Sequence, residues 1–159
     1  MAVFDSTIYN SIIDEVVNIL LDVRAEIQSN MESKGINASG RTSRGMQVQR
    51  YESGVRLVLA GADVAPLATL EVGRAGGRVP RGFTDIIEQW SREKGLTFAN
   101  EKDRRSFAYF TARKIAREGT ERHKMPVDVY SDAVTRGVDK IKQLVNAQVT
   151  QYVHQNLPK

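Results

Sequence analysis

Between Ser6 and Ser33 an apolar side chain returns at every third or fourth position: Ile8, Ile12, Val16, Ile19, Leu20, Val23, Ile27 and Met31, with Asp14, Asn18, Asp22 and Glu26 on the remaining arc. Because a helix closes a turn in 3.6 residues, this spacing gathers the apolar set into one stripe and predicts a long amphipathic helix. Asp5 or Ser6 stands where the first turn needs a cap, and Gly35 where a left-handed residue would end it. Near the other terminus Val134, Val138, Ile141, Val145, Val149 and Tyr152 repeat the pattern and predict a second rod over about residues 129–155. Two such stripes must each find a surface to cover them.

The segment between the rods supplies something flat. Met46, Val48 and Arg50 alternate with Gln47, Gln49 and Tyr51, and Val55, Leu57 and Leu59 alternate with Arg56, Val58 and Ala60, with Glu52-Ser53-Gly54 between the two runs. Alternation of period two predicts a β-hairpin. A lone hairpin is marginal in water, so its apolar face is expected to lie under the first helix or to extend a neighbour's sheet. The run Asn37 to Gly45 is small, polar and basic, and reads as an exposed loop. Asp63 to Val72 suits a short helix, with Pro66 near its start. Further helices are predicted from a Thr84 cap to Gly95, carrying Ile86, Ile87 and Trp90, and from Glu101 to Glu118, closed by Gly119. In the second of these Phe107 and Phe110 are expected in the core, and Lys114 and the arginines in solvent. The fold class is therefore α+β: two long amphipathic helices and shorter ones packed on a small antiparallel hairpin.

A length of 159 residues suits one domain spanning 1–159. With no cysteine there is no disulfide frame, thiolate nucleophile or cysteine-rich zinc site. The longest apolar runs, such as Ile19-Leu20-Leu21, fall far short of the roughly 20 residues that span a bilayer. The first residues lack the basic-then-apolar order of a signal peptide. A soluble protein of the cytosol is expected, with no membrane partner.

The formal charge of +4 is unevenly spread: residues 1–34 carry six acidic and two basic side chains, while residues 35–82 carry seven basic and three acidic. Much of that basic charge lies in Gly73 to Gly82, which holds Arg74, Arg78 and Arg81 among glycines and offers nothing to bury, so a mobile basic loop is expected. Its roles remain open: an ordinary solvated loop, a protein interface, or a phosphate contact through forked arginine hydrogen bonds. The glycine spacing of Gly77 and Gly82 is followed by Phe83 rather than by Lys and Ser or Thr, so it is not a Walker loop.

Candidates for catalysis are few. His123 sits in a basic connector and His154 near the end of the last helix, and neither has two-histidine metal spacing. Glu71, Asp85 and Glu88 are available carboxylates with no spacing that demands acid–base work. No catalytic residue, cofactor or metal is expected.

The order of these parts, with Ala38 to Ser43 before the hairpin and Leu70-Glu71-Val72-Gly73 after it, resembles the tail-completion or minor tail (virion morphogenesis) proteins of tailed bacteriophages. Ala112 to Thr120 followed by Asp128-Val129-Tyr130-Ser131 also looks like a variant of such proteins. The likeness covers about residues 35–136 and implies a non-enzymatic virion subunit, assembled in the host cytoplasm. Such a subunit joins a homo-oligomeric ring at the head–tail junction or the top of the tail, beside other neck, portal-side or tail proteins. Ring subunits meet through unlike faces, and Asp14, Asp22, Glu26, Arg41, Arg44 and Glu71 are candidates for that interface. A ring around the genome's exit path would turn the loop arginines toward DNA, without reading its sequence. The competing expectation is a small nucleic-acid-binding module using Arg74, Arg78, Arg81, Arg104 and Arg105.

Overall fold

The computed structural model describes residues 6–36, 40–59 and 67–156. The expected cap at Asp5, the Asn37 to Ser39 part of the small-residue loop, the Asp63 to Pro66 start of a short helix, and the side chain of His123 lie outside the described residues. The elements run α1 (Ser6–Ser33), α2 (Arg41–Gly45), β1 (Met46–Tyr51), β2 (Gly54–Leu59), α3 (Leu67–Val72), α4 (Phe83–Glu93), α5 (Glu101–Glu118), α6 (Glu121–Lys124) and α7 (Ser131–Asn156). The α+β class holds: among the described residues helices pack on a two-stranded antiparallel sheet.

α1 has the predicted extent. Gly35 takes φ 61°, and the N–H groups of Gly35 and Ile36 reach back to the carbonyls of Glu32 and Met31, both at 2.9 Å. This double closure satisfies carbonyls that a helix end would otherwise leave open, and Ile36 folds onto the cluster that contains Met31. The hairpin pairs Met46 with Leu59, Val48 with Leu57 and Arg50 with Val55, so the predicted apolar set shares one face and meets α1. Tyr9 donates to the Glu52 carbonyl at the hairpin turn, and Arg50 bridges Asp14 at 2.6 Å.

α7 runs antiparallel to α1. Asn30 donates to the Val129 carbonyl at 3.0 Å, and Glu26 pairs with Arg136 further along. The two helices cross closely at Gly137, where any Cβ would run into Cγ2 of Val23. Val23, Ile27, Met31, Met46, Val129 and Ala133 form the main core there. A second core lies between α4 and α5, built from Ile87, Ala108 and Ala112 with Phe83, Phe107 and Ile115 beside them.

Five expectations are corrected. Arg41–Gly45 forms one helical turn, not an exposed loop, and the connector after Gly119 contains the short helix α6. Thr84 does not cap α4; Gly82 occupies the cap at φ 72° and no side chain completes it. Phe110 is not core. It is 68% exposed, because α5 presents alanines 108, 112 and 116 to its neighbours and small side chains let two helices approach closely. α7 begins at Ser131, two residues after the predicted start.

Candidate functional site

The Leu70-Glu71-Val72-Gly73 segment, whose Glu71 was a candidate for a subunit interface, lies against the start of α7. Glu71 is buried, and its Oε1 accepts from the N–H groups of Val129, Tyr130 and Ser131 at 2.8, 3.2 and 3.1 Å. Its Oε2 accepts the Ser131 hydroxyl at 2.5 Å, and its own carbonyl accepts from Val127. The first turn of a helix leaves such N–H groups without partners and carries partial positive charge, so an anion there is stabilised twice. Burial alone would raise the Glu71 pKa. The Ser131 hydroxyl and the N–H groups of Val129, Ser131 and Tyr130 outweigh it and hold the carboxyl at about 2.

Glu71 is therefore a latch that fixes the entry of α7, and the placement replaces the expectation of an intersubunit contact. Its lone pairs are committed, and at neutral pH it has no proton to donate. Asp85 is exposed in the first turn of α4, and Glu88 holds Arg92 at 2.6 Å. Among the described residues no group of three or more histidine, aspartate or glutamate side chains is placed to hold a metal ion, and no helix is long and apolar enough to cross a membrane.

The arginine loop is strapped down over its first half, which corrects the expectation of a wholly mobile segment. The Arg74 N–H donates to Thr120 Oγ1 and the Thr120 N–H to the Arg74 carbonyl, each at 2.9 Å. Gly77 donates to the Ala116 carbonyl at 2.5 Å. Gly76 and Gly119 make the strap possible: a Cβ on Gly76 would stand 2.9 Å from the Arg117 carbonyl oxygen, and one on Gly119 2.7 Å from that of Arg74. The Arg74 guanidinium lies over the Phe83 ring and donates to the Arg78 carbonyl, so it is part of the strap. Arg78 and Arg81 are exposed.

The remaining candidates divide. Asp14 pairs with Arg50, Glu26 with Arg136, and Arg41 with Glu93 at 2.9 Å. These charges tie elements of one chain together. Asp22 and Arg44 are exposed, the latter with its guanidinium beside Gly40. Arg104 lies over Phe98 and donates to Ser91 Oγ, bracing α5 on α4, whereas Arg105 is exposed.

The feature that sequence reasoning missed is what α7 leaves uncovered. Val134, Val138, Val145, Val149 and Val153 are each 37–44% exposed along a 26-residue helix. Beside its first half lies a groove of about 230 Å³ walled by Leu20, Val23, Leu57, Val58, Val138 and Ile141. The stripe itself was legible; that α1 would cover only one side of it was not. Comparison with protein-family models, with curated proteins and with solved structures finds no match to this chain.

Proposed function

We propose that this chain is a structural subunit of a tailed-phage particle, forming a ring at the neck or the top of the tail and acting through assembly rather than through chemistry. The observation that carries the reading is the half-covered valine stripe on α7, continuous with the apolar groove beside it. Burying the exposed two-fifths of five valines would contribute about 3–6 kcal/mol, on the scale of 1.5–3 kcal/mol for a whole apolar side chain. That is a useful share of an association energy, and a second surface must add to it. The latch at Glu71 supports the same reading, since it fixes the direction in which α7 presents its stripe. The order of segments that resembles tail-completion proteins supports it as well.

Light scattering and electron microscopy of the purified chain, alone and with phage neck and tail components, test the proposal. Closed rings, or incorporation at the head–tail junction, are expected. Monomers that neither self-associate nor join particles would overturn it.

A further inference from the structure

Helix α5 turns one side to α4 and the other to solvent. Ala108, Ala112 and Ala116, with the half-buried Phe107, Thr111 and Ile115, mark the buried side. At 100° per residue the opposite side carries Lys102, Tyr109, Phe110, Arg113, Lys114 and Arg117, all exposed. Tyr109 is 45% and Phe110 68% exposed, with their rings edge to face at 5.4 Å. Arg113 lies 5.4 Å from the centre of the Tyr109 ring and donates to its hydroxyl at 2.6 Å. On this side the one acidic residue among those described is Asp103, which is engaged with Asn100 at the helix start. Glu118, on the flank, holds Arg117. The strap from Gly77 to Ala116 brings the chain at Arg78 to the same end of the helix.

A row of cations attracts a polyanion, and exposed aromatic rings offer faces on which bases can stack. An apolar protein surface seated on Phe110 would have to desolvate Arg113 and Lys114 beside it. A duplex keeps its bases stacked inside, out of reach of side-chain rings, whereas a single strand presents them. We propose that the outer face of α5 binds single-stranded nucleic acid, with Tyr109 and Phe110 stacking on bases and Arg113, Lys114 and Arg117 meeting phosphates. This surface is distinct from the α7 stripe and does not depend on ring formation.

The test is fluorescence anisotropy of a labelled oligothymidylate 30-mer with the full chain over a salt series. Binding at low ionic strength is expected, with a log–log salt slope near −2 for about three phosphates neutralised at ~0.7 each. Phe110→Ala is expected to weaken binding roughly 5- to 150-fold with the slope unchanged, and Phe110→Trp to retain it. Arg113→Ala combined with Lys114→Ala is expected to flatten the slope by about 1.4. Phe110 stands in solvent, so circular dichroism of its variants should match the wild type. No binding at low salt, equal binding by Phe110→Ala, or a preference for duplex of the same length would overturn the proposal.

Discussion

Replacing Glu71 with glutamine keeps the side chain's shape and removes its charge, which isolates what the latch contributes. An unfolded glutamate ionises at about 4.5 and the folded one at about 2. Each tenfold difference in proton affinity corresponds to about 1.36 kcal/mol, so the gap amounts to roughly 3 kcal/mol of stability. The folded pKa is depressed, so the contribution is fully present above the unfolded value and is lost as pH falls from about 4.5 toward 2. At pH 3 about 1 kcal/mol of it remains. Glu71→Gln should therefore unfold at lower urea at pH 7, by the equivalent of about 2–3 kcal/mol, or melt about 5–10 °C earlier for a chain of this size. The gap between wild type and variant should narrow by about 2 kcal/mol between pH 7 and pH 3. A gap that stays constant across that range, or one below about 0.5 kcal/mol at pH 7, would refute the latch.

Other substitutions probe the remaining joints. Gly119→Ala sets a methyl group 2.7 Å from the Arg74 carbonyl at a φ of 77°, whereas Gly35→Ala meets open space at φ 61°; chemical denaturation should show the first costing well above the roughly 1–2 kcal/mol of backbone strain expected for the second. Asn100 accepts the Asp103 N–H and caps α5, while Thr84 lies inside the first turn of α4 and caps nothing; Asn100→Ala should lower stability by about 1 kcal/mol and Thr84→Ala by less than about 0.5 in the same assay. Ala112→Leu should cost about 1–3 kcal/mol by forcing α4 and α5 apart, visible as an earlier thermal transition.

What sequence could reveal depended on the range of the interaction. Periodicity places α1 and the two strands of the hairpin because both are local patterns, although Gly54, read as part of the turn, pairs with Tyr51 as the first residue of β2. Gly35 and Gly119 mark helix ends because a positive φ is a local demand. The latch is different: Glu71 and Ser131 are 60 residues apart, and nothing near Glu71 announces its partners. The same holds for the strap, made of two backbone hydrogen bonds and one to the Thr120 hydroxyl among Arg74, Gly77, Ala116 and Thr120. In α5 the error came from weighting large apolar residues. Phe107 does pack beside the α4–α5 core, whereas Phe110 stands in solvent, and Ala108, Ala112 and Ala116, spaced four apart, are the better sign of a tightly packed face. Nor was it legible that the candidate interface charges Asp14, Glu26 and Arg41 find partners on distant elements of their own chain.

Whether the valines of α7 form a subunit contact is decided most directly by sedimentation velocity on the wild-type chain and on a variant carrying Val145→Asp and Val149→Asp, across a range of concentrations. The account expects the wild type to sediment as a discrete oligomer and the variant as a monomer with an unchanged far-ultraviolet spectrum. A wild type that stays monomeric at every concentration, or a variant that assembles just as well, would contradict it.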